Sequence, residues 1–439
     1  MALRFGTDGV RAEALTQLTT DFARSLGAAA ARSLGSSEIV VGRDTRESGP
    51  VLLRAFAEGV ASVGSTIRDL GVVPTPAVAW ICKADRVAGA MLSASHNQWQ
   101  DNGIKLFGAG GLKLSDEAQD EIQSQLDADY EAGYPLISVE PTIESGSIDR
   151  YLTAVVESIE GRTFTGQTVV LDSAHGSAST TAKVIFERLG ATVVSIADSP
   201  DGRNINDGVG STHPEFVQSA VLEHDAAAGF AFDGDADRIA AVSRDGQLID
   251  GDRIIGMSAL DRRERGTLAN DTVVITVMAN LGFRRAMDSY GIAMVETQVG
   301  DRYVLEALDA GGYSLGGEQS GHVIHRDLAT TGDGVLTAVQ LFDATIRRGV
   351  DMGEWAAGVM SRLPQVLVNV RTSERIPNLG AKLADAINAE EELLGADGRV
   401  LIRESGTEPV VRVMVEAETS EIAESSAQRL VAAVEALAA

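Results

Sequence analysis

The 439-residue chain has a single cysteine, Cys82, so no disulfide can form within it. Cys82 lies in the apolar run at residues 77–82 and reads as core rather than as a nucleophile. No segment reaches the roughly 18 uninterrupted apolar residues of a membrane helix. The opening Met1-Ala2-Leu3-Arg4-Phe5-Gly6 lacks the apolar stretch of a secretion signal. The expectation is a soluble, cytoplasmic protein without a membrane partner. Positive charge is scarce too, with 37 Lys and Arg against 63 Asp and Glu, a net charge of -26. That argues against a nucleic-acid partner bound through a broad basic surface. It also means that any phosphate ligand must be met by a local concentration of Arg and Lys.

Several common signatures are missing. There is no Gly-Lys-Ser/Thr of a P-loop, and Gly108-Ala109-Gly110-Gly111 does not satisfy the dinucleotide-binding pattern. His213-Pro214-Glu215 has no partnering cysteines for a zinc deaminase. Gly312-Tyr313-Ser314-Leu315-Gly316 fits the letters of a hydrolase elbow, but its serine follows a helix instead of preceding one.

What is present is a repeated pattern. Ile39-Val40-Val41 is followed by an amphipathic segment at residues 51–63, then Gly64 and a second β-type run. Val169-Val170-Leu171-Asp172 starts the same series, through a helical segment at 181–189 to Gly190-Ala191-Thr192-Val193-Val194. Val273-Val274-Ile275-Thr276 starts it again, through 281–290 to Gly291-Ile292-Ala293-Met294-Val295. Strand, helix, glycine, strand is a βαβ signature and implies parallel pairing. The tail differs: alternating residues at 365–371, helical spacing at 379–394, two short strands around a Gly/Pro loop, and an Ala-rich helix at 422–437. The fold class expected is therefore α/β, with three related mixed α/β domains (1–150, 151–248 and 249–363) and a smaller α+β domain (364–439) around a central cleft. Linkers are expected near 137–147, 245–252 and 362–364.

A polar, chemically loaded loop follows each repeat, where open α/β sheets bind ligands. The first is Ser93-Ala94-Ser95-His96-Asn97, which closes the apolar run Val87-Ala88-Gly89-Ala90-Met91-Leu92. Ser95 beside His96 is a candidate nucleophile, and the same text reads equally as a Ser/Asn turn. The second is Asp233-Gly234-Asp235-Ala236-Asp237-Arg238. If the preceding strand continues, the three carboxylates share one face. Such crowding needs a cation, and carboxylate oxygens suit Mg²⁺. An EF-hand is excluded, because Arg238 stands where the loop needs Gly and Arg244 where it needs Glu. The third, Gly317-Glu318-Gln319-Ser320-Gly321-His322, offers paired acceptors for vicinal sugar hydroxyls or is a plain Gly-rich turn. In the tail, Arg403-Glu404-Ser405-Gly406-Thr407-Glu408-Pro409, with Arg412 beyond it, has the inventory of a phosphate cradle and also of an ordinary hairpin.

Taken together, in this order and with Phe5-Gly6-Thr7-Asp8-Gly9-Val10-Arg11 at the start, the four loops resemble the α-D-phosphohexomutase superfamily over the whole chain. The resemblance implies a cytoplasmic isomerase with four domains around a cleft. It makes Ser95 the phosphoserine required for activity. Asp233, Asp235 and Asp237, with an oxygen on Ser95, become the ligands of one Mg²⁺. Glu318 and Ser320 look like sugar-hydroxyl ligands. Arg403, Ser405, Gly406, Thr407 and Arg412 look like the site for the phosphate that is not reacting. His96, Arg11, Lys105, Arg238 and His322 match positions at the reaction centre, with Lys105 and His322 as candidates for proton transfer. Val299-Gly300-Asp301-Arg302-Tyr303-Val304 and Ser211-Thr212-His213-Pro214-Glu215 look like the branch acting on glucosamine phosphates, and so does Gln319, where the glucose and mannose branch more often has Met. The partner expected is a small sugar phosphate. The alternatives are a mutase for glucose or mannose phosphates and a non-catalytic sugar-phosphate sensor. Two residues depart from the family text: Gln98 and Glu404 each stand where Pro is usual, and Glu404 adds a negative charge beside the phosphate loop.

Overall fold

The computed structural model describes residues 3–5, 9–132, 137–144, 146–374, 376–404 and 410–438. It divides into two compact units, Met1–Met278 with Ile292–Ala357, and Ala279–Gly291 with Gly358–Ala439.

The first unit contains three sheets built on one plan. Strands β1 (Val10–Glu13), β2 (Glu38–Arg43), β3 (Thr66–Val72), β4 (Ala88–Leu92) and β5 (Asp101–Phe107) pair in the order β1-β5-β4-β2-β3. Strands β6 (Thr168–Asp172), β7 (Thr192–Ile196), β8 (Ala228–Phe232), β9 (Ile239–Ser243) and β10 (Leu248–Ile249) pair in the order β10-β9-β8-β6-β7. Strands β11 (Thr272–Thr276), β12 (Ala293–Thr297), β13 (Leu315–Gly317) and β14 (Val323–His325) pair in the order β12-β11-β13-β14. In each sheet the first strand of the repeat lies between two parallel neighbours, as β2 does between β3 and β4, β6 between β7 and β8, and β11 between β12 and β13. The parallel pairing inferred from the repeat is thus its core. The next strand then turns back antiparallel: β5 on β4, β9 on β8 and β14 on β13.

The central strands are apolar throughout because both faces are covered. β4, β8 and β11 are buried at every position, as expected of parallel strands beneath helices on both sides. Some of the helices start on side-chain caps. Thr19 Oγ1 accepts from Phe22 N at 3.1 Å to open helix Thr20–Ser33. Asp250 Oδ1 accepts from Arg253 N to open Gly251–Glu264, and Asp333 Oδ1 accepts from Leu336 N to open Gly334–Arg348. The segment expected as a linker at 245–252 therefore contains β10 and a helix start. It is polar because it makes a turn and a cap.

The second unit holds an antiparallel sheet of β15 (Gln365–Arg371), β16 (Arg399–Glu404) and β17 (Val410–Glu416), in the order β15-β17-β16. Helix Ser420–Ala438 covers it, with Ala423, Ala427, Leu430 and Val434 in a core with Val411, Val413 and Val415. The expected helix at 379–394 is broken into Leu379–Lys382 and Ala384–Leu394. Among the described residues no helix is long and apolar enough to cross a membrane.

Helices Thr20–Ser33 and Gly49–Ser62 touch backbone to backbone. A methyl group at Gly59 would lie 1.8 Å from the Arg24 carbonyl oxygen, and one at Gly27 would lie 2.2 Å from that of Phe56. Overpacking of this kind costs about 1–3 kcal/mol. Gly59→Ala should therefore lower the melting temperature of the first unit in a thermal scan. An unchanged melt would show that the helices separate freely.

Candidate active site

The three catalytic-looking loops of the first unit are the same connection repeated: β4 to β5, β8 to β9 and β13 to β14. Each sits where a buried parallel strand reverses into an antiparallel one, so the repeat that builds the sheets also delivers the site residues.

Ser95 lies just past the end of β4, 2% exposed, with a left-handed φ of 53°. Non-glycine residues adopt such angles mainly where the surroundings impose them. Its Oγ donates to Asp233 Oδ2 at 2.5 Å and lies 3.3 Å from His96 Nδ1. Ser93, the other hydroxyl of the loop, is turned away. Its Oγ accepts from Ser95 N at 2.9 Å and donates to Asp44 Oδ2 at 2.6 Å.

The triple aspartate comes together by a different route from the one expected. β8 stops at Phe232, and Asp233 to Asp237 form a turn in which Ala236 takes a φ of 56°. Strand alternation is therefore not what gathers the carboxylates. Each nonetheless offers an oxygen within 4.8 Å of the others, and all three residues are buried. Gly234 keeps the turn against Ser95, since a methyl group there would lie 2.6 Å from the Ser95 carbonyl oxygen.

Like charges at this distance resist ionising together. Burial, and then the Asp237 and Asp235 charges, push the Asp233 carboxyl well above the usual carboxylate range. Asp237 moves the other way. Burial opposes its ionisation, but the Lys105 ammonium beside it holds it well below that range. Lys105 Nζ donates to Asp235 Oδ2 at 2.8 Å and to Asp237 Oδ2 at 3.2 Å, and Thr75 Oγ1 donates to Asp235 Oδ2 at 2.6 Å. Asp235 Oδ1 remains buried without a hydrogen-bond partner among the described residues. An all-oxygen cluster with an open, buried carboxylate oxygen fits a hard divalent cation.

The remaining predicted residues of the first unit surround this cluster. Arg238 Nη1 approaches His96 Nδ1 at 3.2 Å, and its backbone N–H donates to Asp233 Oδ1 at 3.1 Å. Burial and the cationic Arg238 and Arg11 push His96 down from 6.5 to about 4, so near neutral pH its ring is uncharged. Arg11 Nη1 donates to Asn97 Oδ1 at 3.3 Å. His322 is buried, with Nδ1 3.6 Å from Asp237 Oδ1 and Nε2 3.5 Å from Asp301 Oδ2. Burial opposes its protonation, while Asp237 and Asp301 raise its pKa. Against a charged ring, the Gly332 N–H donates to Nε2 at 3.1 Å, which requires that nitrogen bare. The direct hydrogen bond outweighs two contacts that lie beyond hydrogen-bonding length, so the proton belongs on Nδ1. Glu318 Oε1 accepts from Gly300 N at 3.0 Å, and Ser320 Oγ lies 3.3 Å from Glu318 Oε2.

The sequence reading missed four residues that touch this cluster or its serine loop, Asp44, Arg46, Thr75 and Asn206, and named Asp301 only within a family-like stretch without a place at the site. Arg46 and Asp44 stand in the polar turn after β2, where Gly42-Arg43-Asp44-Thr45-Arg46 carried a usable signal: a charged cluster at the end of a central strand.

In the second unit, Ser405, Gly406 and Thr407 lie outside the described residues. The residues flanking them are informative. Arg403 and Arg412 are direct cross-strand partners on β16 and β17. Like charges placed opposite each other repel. Arg412 Nε is also buried with no hydrogen-bond partner among the described residues. Two guanidinium groups side by side suit an anion. Glu404 points to the other face of the strand and accepts from Ile376 N at 2.9 Å. Its charge is thereby directed away from the Arg403 face. Gln98, the other departure, uses its carbonyl oxygen to accept from Arg46.

Comparison with known proteins accounts for the plan. The chain matches four models of the phosphoglucomutase/phosphomannomutase family: alpha/beta/alpha domain I over residues 2–132, domain II over 149–246, domain III over 250–363 and the C-terminal domain over 367–433. The chain belongs to the phosphoglucomutase/phosphomannomutase family. It is 50% identical to the phosphoglucosamine mutase of Thermobifida fusca (strain YX), over 98% of this chain and 97% of that one. It is 48% identical to the phosphoglucosamine mutase of Frankia alni, over 99% of each. Its fold is similar to the crystal structure of a phosphoglucomutase/phosphomannomutase family protein from Burkholderia thailandensis, with a TM-score of 0.82 and 26% identity over 98% of this chain and 97% of that one.

The cluster leads to a binding prediction. Titration calorimetry with Mn²⁺, as a probe for Mg²⁺, should give one site per chain, and Asp235→Asn should weaken it by tenfold or more, on the order of 1.4 kcal/mol. Equal binding by the variant would remove Asp235 from the ligand set.

Proposed function

We propose that the protein is a phosphoglucosamine mutase, an isomerase that interconverts glucosamine 6-phosphate and glucosamine 1-phosphate. The observation that carries this reading is the 2.5 Å contact of the buried Ser95 hydroxyl with Asp233, inside a cluster of three carboxylates. The sugar follows from the relatives, phosphoglucosamine mutases at 44–50% identity over nearly the whole chain.

Ser95 carries a phosphoryl group in the resting enzyme. Asp233, Asp235 and Asp237, with an oxygen of that phosphoryl group, would hold Mg²⁺. The ion when bound supplies charge neutralisation, which phosphoryl transfer needs together with positioning. The bond from phosphorus to Ser95 Oγ breaks as one forms to the sugar O1. The O1 hydroxyl gives up its proton and the Ser95 oxygen gains one. Lys105 and His322 are the groups placed for these exchanges. The product is a 1,6-bisphosphate, which turns round so that its 6-phosphoryl group returns to Ser95 and glucosamine 1-phosphate leaves. Glu318 and Ser320 take the sugar hydroxyls, Arg238 and Arg11 meet the transferring group, and His96 stays neutral beside it. Arg403, Ser405, Gly406, Thr407 and Arg412 hold whichever phosphate is not reacting, so one site serves both orientations.

A sensor of sugar phosphates would need neither Ser95 nor the metal cluster. Purified protein should therefore show one phosphoryl group by intact mass, mapped to Ser95. Ser95→Ala should have no mutase turnover on glucosamine 6-phosphate while still binding it. Turnover in Ser95→Ala would refute the assignment. Arg412→Ala should lower kcat/KM about tenfold in both directions, or about 1.4 kcal/mol, and leave Ser95 phosphorylation intact. Unchanged kinetics in that variant would place the distal phosphate elsewhere.

A further inference from the structure

We propose that Arg46 and Asn206 act as a pair of positioning residues that set the backbone of the Ser95 loop for phosphoryl transfer. The inference rests on the reading of Ser95 as the phosphate carrier.

Arg46 is 1% exposed. Its Nε pairs with Asp44 Oδ2 at 2.8 Å. The rest of its guanidinium is spent on carbonyl oxygens of one loop: Ser95 at 3.0 Å, Asn97 at 2.8 Å, Asp101 at 2.9 Å, and Gln98. A buried arginine normally satisfies its donors on carboxylates. Here four of the acceptors are neutral backbone groups, all within seven residues of one another. Asn206 reaches two of the same carbonyls from the second sheet's domain, with Nδ2 2.9 Å from Ser95 O and 3.0 Å from Asn97 O. It is 2% exposed and held by its own N–H to Ala174 O at 3.0 Å. The carbonyls on either side of His96 are therefore each fixed twice, once from the sheet that carries Ser95 and once from the sheet that carries the triple aspartate.

Two consequences follow. The left-handed φ of Ser95 is imposed, which aims Oγ at Asp233. The carbonyl dipoles are also committed to donors, so their negative ends add little to a site already holding three carboxylates. Because Asn206 and Asp233 belong to the same domain, the contact also registers the serine against the metal cluster. A small error in that alignment is expensive, since misplacing reacting atoms by about 1 Å costs on the order of 100-fold in rate.

The test uses the full-length phosphorylated enzyme. Asn206 has a left-handed φ of 58°; Asn206→Asp keeps the shape and tolerates that backbone, but replaces the amide donor to both carbonyls by a carboxylate. Arg46→Lys keeps the charge beside Asp44 and cannot reach four carbonyls. Phosphoryl transfer from Ser95 to glucosamine 6-phosphate is followed by rapid quench, with kcat expressed per phosphorylated, folded chain. Asn206→Asp should lower that rate by roughly 10- to 100-fold, with KM within about twofold of wild type and Mn²⁺ stoichiometry unchanged. Where Arg46→Lys folds, it should behave alike; where it does not, Asn206→Asp decides. A rate per phosphorylated chain equal to wild type in Asn206→Asp overturns the proposal. So does a loss that merely tracks the folded fraction. A wild-type enzyme that transfers nothing would instead overturn the reading of Ser95, and this inference with it.

Discussion

The structure depends on keeping three carboxylates buried together beside a serine. Asp233, Asp235 and Asp237 are all but inaccessible; burial and the other two carboxylates drive Asp233 up, while the Lys105 ammonium holds Asp237 down. Lys105 offsets part of that charge, Thr75 and the Arg238 amide satisfy further oxygens, and Asp235 Oδ1 has no hydrogen-bond partner among the described residues. A site with this much negative charge is a poor place for a phosphate unless cations neutralise it. The chain as a whole carries -26 and gives no help. Within the first unit the local cations near this cluster are Lys105 and Arg238, with Arg11 beside Asn97.

The repeat explains how one chain brings such groups together. A βαβ unit followed by a reversing strand occurs three times, and the reversing turn carries a serine in the first copy, carboxylates in the second and a glutamate with a histidine in the third. A single topological position thus carries three different sets of polar side chains. The fourth sheet does not share the plan: it is antiparallel throughout and sets Arg403 opposite Arg412.

Much of this could be read from the residues. The β-branched runs, the glycine after each helix and the polar loops after the buried strands predicted three α/β repeats, and strands β2, β6 and β11 sit where those runs are. Family membership followed from four loops in order. Other features were illegible for physical reasons. The carboxylates converge through a left-handed Ala236, and no propensity marks an alanine for that conformation. β10 was hidden in a turn because two residues carry no periodicity. Asn206 and Arg46 meet Ser95 across 111 and 49 residues of sequence, so only the tertiary structure shows them at one loop. The direction of Glu404 was also illegible: it follows from strand alternation and from its bond to Ile376 N, a residue far away in sequence.

The central claim is that Ser95 hands its phosphoryl group to the sugar and takes another back. The most direct measurement is a single-turnover experiment with enzyme labelled by ³²P on Ser95, mixed with glucosamine 6-phosphate and Mg²⁺ and quenched on the millisecond scale. The account predicts that label leaves Ser95 and enters a glucosamine 1,6-bisphosphate before glucosamine 1-phosphate accumulates. Label released only as inorganic phosphate, or retained on Ser95 while product forms, would contradict it.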